Sequence, residues 1–314
     1  MNIKEYRVSF LKIIKFVIII LVADFVLGSV SQKIFFSQKT GKYARATYAV
    51  EKSNAEVLIF GSSHAHRHYV PEVFEKELNK TCYNAGAEGQ QLLFHTALQE
   101  MIIKRKKPDL MILNIDDSFL YLSDIAYDRL SDLHPYYDDH SEALRPILGL
   151  KSNLIDFKLF FKSYQTNSTI IHALRYYVSP QVDYKGYRPL YGKVNSNTKK
   201  HDQQEVKEYI EVIEKDFVNA LKTFINNAKE NNINLVFATS PTYNKVNYSE
   251  NKSFSLIKEI AGKENVPFID LFNDTQFLNK GELFHDPSHL NDDGAKLFTK
   301  LLADKILEKN LIIK

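Results

Sequence analysis

The sequence predicts an α/β protein: a three-layer α/β/α sandwich around a parallel sheet, preceded by one transmembrane helix and carrying a helical insertion. Three observations carry this. From residue 55 onward, short apolar runs alternate with amphipathic stretches, as strands buried on both faces do when helices cover them. One long apolar segment stands apart at the N-terminus. Residues 118–204 break the alternation over a length that no plain loop reaches.

In chain order, Lys4, Arg7, Lys12 and Lys15 precede Phe16–Val30, which is apolar except for Asp24, Gly28 and Ser29. A span needs about 20 apolar residues. Counting from Phe10 reaches that length if Lys12 and Lys15 extend to the interface. The basic flank favours a cytoplasmic N-terminus. A cleaved signal peptide would need a small-residue site soon after the apolar run, and Ala44-Arg45-Ala46 lies too far downstream. A buried helix of a soluble protein is the third alternative. The anchor reading divides the chain into a tip and anchor at 1–30, a polar connector at 31–54, and an α/β domain at 55–314 with its insertion, or lid, at about 118–204.

Within that domain the expected strands are Glu56–Phe60, Thr81–Asn84, Leu110–Ile115, Asn234–Ala238 and Val266–Asp270. The expected helices are Pro71–Leu78, with Pro in its first turn, then Gln90–Lys104, Glu205–Asn231, Ser253–Lys263 and Asp292–Leu307. The long fourth helix takes its face from Val206, Ile210, Ile213, Phe217, Leu221 and Phe224, and Asn291 or Asp292 is placed to cap the last helix.

A formal net charge of +3 gives no reason to expect nucleic-acid binding. Lys104-Arg105-Lys106-Lys107 reads as the solvated end of a helix. Cys82 is the only cysteine, so no intrachain disulfide forms.

Two motifs carry chemistry. Gly61-Ser62-Ser63-His64 follows the first strand, where a strand-to-helix turn exposes a hydroxyl and aims backbone N–H groups at a developing oxyanion. Asp286-Pro287-Ser288-His289 precedes the last helix. Ser63 as nucleophile, His289 as general base and Asp286 as the group that orients it make a Ser-His-Asp hydrolase site needing no cofactor. His285 is the neighbour most easily mistaken for the base. In a competing reading, His64, His66 and His68 alternate along an extended segment and, with Asp286, His285 and His289 nearby, hold a hydrolytic metal ion, the alternative being a solvated or helix-start histidine cluster. For each motif alone, a loop or a helix-capping turn is the plain alternative.

On these residues the chain resembles the SGNH, or GDSL-like, hydrolase superfamily, over Ala55–Asp117 and Leu235–Leu307. Gly61-Ser62-Ser63 matches its Gly-Asp-Ser block, with Ser62 in place of the acid, and Asp286 and His289 match its closing Asp-x-x-His. Asn84-Ala85-Gly86-Ala87-Glu88-Gly89 resembles the second block, whose glycine gives an N–H to the oxyanion. The resemblance assigns that role to Gly89, or less readily Gly86, beside Ser63. The third block departs. Where the family has Gly-x-Asn-Asp, this chain has Leu113-Asn114-Ile115-Asp116-Asp117-Ser118. Asn114 is early, inside the strand, and Ser118 falls nearer the register of the missing donor.

With an N-terminal anchor, the resemblance implies a bacterial, single-pass cytoplasmic-membrane protein with its catalytic domain outside the cytoplasm. It implies an esterase or O-acyltransferase that works through an acyl-serine on an acylated glycan or other envelope polymer, with a membrane acyl-donor protein as a further partner. The tyrosines of 118–204 would offer aromatic faces to sugars or simply pack. A catalytically silent assembly protein of the same fold is the remaining alternative.

Overall fold

A computed structural model describes residues 3–194 and 208–312. They divide into two compact units: Met1–Ala44 with Leu130–Pro180, and Arg45–Arg129 with Gln181–Lys314.

The second unit is the α/β domain. Helix α2 spans Lys42–Glu51. The chain then alternates through β1 (Val57–Phe60), α3 (Ser63–His68), α4 (Pro71–Leu78), β2 (Cys82–Asn84), α5 (Leu92–Arg105) and β3 (Leu110–Asn114). After β4 (Tyr121–Leu122) and α6 (Asp124–Asp128), it resumes beyond residue 207 with β5 (Ile210–Ile213), α10 (Lys215–Glu230), β6 (Asn234–Ala238), α11 (Lys252–Lys263), β7 (Phe268–Ile269) and α12 (Asp292–Glu308). Between these stretches lie α7 (Tyr137–Leu148), α8 (Ile155–Phe160) and α9 (Ile170–Val178) of the first unit.

Five strands form one parallel sheet in the order β2-β1-β3-β6-β7. Successive side chains point to opposite faces, so each strand feeds two cores. Val57, Ile59, Leu110, Ile112, Val236 and Ala238 join Phe74, Phe298 and Leu302 of α4 and α12 on one face. On the other, Phe60 meets Phe224 of α10 at 5.3 Å, and Phe268 meets Phe254 of α11 at 5.8 Å. The sheet therefore has helices on both sides, as predicted. The strand order reverses between β1 and β3, and ligands of such sheets bind beyond the carboxyl ends at that reversal.

Local chemistry departs from expectation in three places. The expected helix over Glu205–Asn231 starts only at Lys215, with the Glu214 side chain accepting from the Asp216 N–H. Residues 205–207 lie outside the described residues. Ile210–Ile213 instead forms β5, antiparallel to β4, because β-branched residues suit an extended edge and Tyr209 stacks on Tyr121. The histidine segment after Ser63 is a helix, α3, not an extended run. The connector expected at 31–54 is largely helical, since α1 (Ile3–Phe36) runs into it and α2 follows.

In the first unit, α1 carries a 28-residue stretch long and apolar enough to cross a membrane, Ser9–Phe36, that is exposed over most of its N-terminal part and buried at Gly28 and Phe35. Its polar interruptions have partners. Asp24 accepts the N–H groups of Lys162 and Ser163 at 2.8 and 3.2 Å, together with the Ser163 hydroxyl. A side chain on Gly28 would come within 2.3 Å of the Lys162 backbone, so only glycine lets that turn approach.

Gly61 closes β1 with φ at +136°, and a Cβ there would lie 2.8 Å from the Asn114 Cβ. Gly61→Ala is expected to lower unfolding free energy by about 1–3 kcal/mol through strain alone, measured by denaturant titration, and to weaken Ser63 reactivity more than stability.

Candidate active site

The site grows from three chain segments at the carboxyl edge of the sheet. In the first, the positive φ of Gly61 turns the chain out of β1 directly into α3. Ser63 is the first residue of that helix, so its N–H is among those a helix leaves unpaired.

The second segment is the loop before α12. His285 N–H donates to the His289 carbonyl at 2.8 Å, and Phe284 bridges Leu290. Asp286 Oδ1 accepts the N–H groups of Ser288 and His289 at 2.9 and 2.7 Å. This is an aspartate closing its own turn, and it is why a three-residue spacing brings the carboxylate to the imidazole. His289 Nδ1 lies 3.0 and 3.1 Å from the two oxygens of Asp286, and His289 Nε2 lies 3.0 Å from Ser63 Oγ. Burial opposes the charge of Asp286, but the His289 imidazole and the two N–H groups hold its carboxyl below its ordinary value. Asn291 Oδ1 caps α12 through the Gly294 N–H, and the Leu290 N–H donates to His68 Nε2 at 3.0 Å. His285 points elsewhere, to the Tyr191 carbonyl.

The third segment follows β2. The Gln90 N–H donates to the Ala87 carbonyl, and Gly89, third residue of the turn, has φ at +74°, the conformation a type II turn demands. The turn is tied on both sides. Arg129 donates to the Gly89 carbonyl at 2.6 Å and pairs with both oxygens of Glu208. Arg67 pairs with Glu88 at 3.1 Å. Gly86 is buried, and its N–H is taken by Asn84 Oδ1, so of the two candidate glycines Gly89 is the one whose N–H this bond does not occupy.

Asn114 and Ser118, the further donors considered, differ. Asn114 is the last residue of β3 and fully buried. Its Oδ1 accepts from Tyr69 and Ser240, each at 2.8 Å, and its Nδ2 donates to Asp116. Its amide oxygen and one of its two Nδ2 hydrogens are thus engaged inside the protein. Ser118 is half-buried at the start of the turn that leads to β4, its carbonyl accepting from the Tyr121 N–H.

Sequence reasoning missed a second histidine–carboxylate pair. Asp116 receives the Ser62 hydroxyl, the Asn114 amide at 3.0 Å and His64 Nδ1 at 2.6 Å. His64 Nε2 faces the Ser288 carbonyl at 3.1 Å. Both partners of this ring only accept, so the imidazolium alone satisfies both nitrogens. Burial opposes that charge, but Asp116 outweighs it and raises His64 above its ordinary value. His64 lies one residue after Ser63, and Asp116 comes two residues after the end of β3, so adjacency to the motif was the available signal. Being helical, α3 turns His66 away from His64 and His68. His68 is buried and held neutral, far below its ordinary value, by burial with His64 beside it. Among the described residues, no group of three His, Cys, Asp or Glu side chains is placed to hold a metal ion.

No family model and no curated protein matches the chain. Solved structures do. The chain is similar to an acetyl xylan esterase at 14% identity, over 81% of this chain and 99% of that one, with a TM-score of 0.39. It is similar to a lipolytic protein of the G-D-S-L family from Desulfitobacterium hafniense at 11% identity, over 79% and 97%, with a TM-score of 0.41. A protein of Streptococcus pneumonia described as a platelet activating factor matches at 11% identity, over 94% and 99%, with a TM-score of 0.41.

His64 has a pH signature. Its folded value is raised, so its contribution to stability is full below the unfolded value of 6.5 and is lost as pH rises through the folded value. The stability advantage of the wild type over His64→Gln is expected to shrink across that window in denaturant titrations at stepped pH. An unchanged or growing advantage would refute the ion pair.

Proposed function

We propose that the protein is a membrane-anchored serine esterase or O-acyltransferase acting on acyl groups of an exported polysaccharide or other envelope polymer. The observation that carries the catalytic reading is the unbroken line from Asp286 through His289 to Ser63 Oγ. His289 with its proton on Nδ1 donates to Asp286 and leaves Nε2 free to accept from the serine. Ser63 Oγ attacks the acyl carbonyl carbon while its proton passes to His289 Nε2. The oxyanion so formed meets the N–H groups of Ser63 and Gly89. It collapses, the alcohol leaves with the proton from His289, and the acyl group stays on Ser63. Water, or a sugar hydroxyl, then attacks that ester with His289 again as base.

Two features support a glycan. A cleft of about 220 Å³ is lined by Tyr184, Tyr187, Tyr191, Asp292 and Lys296. Tyr184 and Tyr191 are more than half exposed, offering faces on which sugar rings stack. The Tyr191 carbonyl also binds His285, next to Asp286. On the reading that the fully buried Asn114 does not reach the oxyanion, one donor of the family pattern is missing, and loss of one such donor slows acyl transfer by about 100-fold or more. That favours a bound, positioned substrate over simple soluble esters. The anchor reading rests on the exposed apolar face of α1 and its basic N-terminal flank.

Ser63→Ala is expected to abolish covalent labelling of the full chain by a fluorophosphonate, with His289→Ala close behind and Asp286→Asn less severe. His285→Ala should label normally. Labelling that survives in Ser63→Ala but not in Ser62→Ala would move the nucleophile by one residue, and unlabelled wild type would favour a silent assembly role.

Topology is tested by reporter fusions after Ser37. Activity of an export-dependent reporter is expected, and a reporter active only in the cytoplasm would reverse the orientation.

A further inference from the structure

Helices α8 and α9 leave large apolar side chains uncovered. Leu154, Phe157 and Phe160 are 62%, 64% and 69% exposed. Ile171, Leu174 and Val178, spaced along one stripe of α9, are 76%, 47% and 88% exposed. The opposite faces of the same helices are buried through Ile155, Leu159 and Ala173. These are folded helices that show apolar residues outward, and such a surface on a soluble protein marks an interaction site.

The occupant follows from what lies beside them. The segment between α8 and α9 is bonded to α1 itself, since the Lys162–Ser163 turn is held by Asp24 and packs on Gly28. Farther along, Tyr177 of α9 donates to the Ile34 carbonyl. A span of about 20 residues counted from Phe10 ends near Ser29, which puts Asp24 roughly 8 Å inside that end at 1.5 Å per residue. A span counted from Phe16 would place Asp24 deeper still. On the first count the α8 end lies at the level of the outer acyl chains and headgroups, and on the second it lies within the hydrocarbon core. The α1 residues Phe25 and Leu27, which lie between Asp24 and Gly28, are as exposed as the patch, so exposed apolar side chains of the anchor lie next in sequence to the residues that hold the turn. Polar groups near the patch are compatible with that depth. Asp156 is paired with Arg145 at 2.7 Å and bonded to Tyr137, while Lys158 and Arg175 suit anionic headgroups.

We propose that α8 and α9 seat in the leaflet where α1 ends, with Leu154, Phe157, Phe160, Ile171, Leu174 and Val178 inserted among the lipids. The chain is then held by a spanning helix and two interfacial helices rather than by a single tether. This rests on the anchor reading of α1, and the test separates the two.

The chain has no tryptophan, so each substitution makes a sole reporter. Val17→Trp, Phe157→Trp and Ile171→Trp are prepared in the full chain and reconstituted into phosphatidylcholine–phosphatidylglycerol vesicles with acyl-brominated lipids. All three positions are exposed, and the two patch positions on separate helices guard against one misfolded variant. Blue-shifted emission and loss of most of the intensity to bromine at all three positions are expected. Quenching at Val17→Trp with water-like, unquenched emission at Phe157→Trp and Ile171→Trp would overturn the seating and leave the anchor standing. No quenching at Val17→Trp would overturn the anchor and this inference with it. Blue-shifted but unquenched emission at the patch positions would assign the face to a protein, a second copy or another chain, and overturn the lipid seating.

Discussion

One carboxylate, Asp116, holds the active-site edge together. It sits just past β3, beside the reversal of strand order, and accepts from Ser62, His64 and Asn114. Each donor leads to a different part of the site. Ser62 belongs to the turn that presents Ser63. His64 reaches the Ser288 carbonyl in the loop that presents Asp286 and His289. Asn114 ties in Tyr69 and Ser240. Taking a carboxylate out of water is costly unless its lone pairs are filled. Here the donors outweigh burial, and the acid stays ionised below its ordinary value. Without that charge, the turn after β1 and the loop before α12 would lose the tie through His64 and keep only those through His289–Ser63 and Leu290–His68.

The same accounting separates two histidines that composition makes alike. Each has a carboxylate on Nδ1. His64 faces a carbonyl on Nε2, which cannot give a proton, so the charged ring is the form that satisfies both of its nitrogens. His289 faces a hydroxyl on Nε2, which can. The atom opposite Nε2, not proximity to the serine in sequence, decides which imidazole is built to take a proton.

Much of this edge was legible in the sequence, because strand-turn-helix chemistry is local. Asn234–Ala238 and Pro71–Leu78 fall where apolar runs and a first-turn proline put them, and Ser63, Asp286 and His289 lie together because each terminates or precedes a regular element. What was not legible depends on partners distant in sequence. Ile210 and Ile213 fit a helical stripe, yet pairing with Tyr121 and Leu122 makes them a strand. The histidines at 64, 66 and 68 alternate like a strand, and it is the strand-to-helix turn at Gly61, the reading their neighbourhood favoured, that sets them on a helix. Asn114 resembled an early oxyanion donor, and only the fold shows it fully buried, its Oδ1 filled by Tyr69 and Ser240 and one Nδ2 hydrogen given to Asp116.

The polar interruptions of α1 complete the same logic. Asp24 and Gly28 look like flaws in an apolar helix when the segment is read alone. In the folded chain they are the two residues that receive the Lys162–Ser163 turn, one by accepting its N–H groups and the other by leaving room for its backbone. A helix removed after export would leave those N–H groups without their acceptor and open the packing around Gly28. That fit, between Asp24 and a turn more than a hundred residues away, supports the proposed anchor.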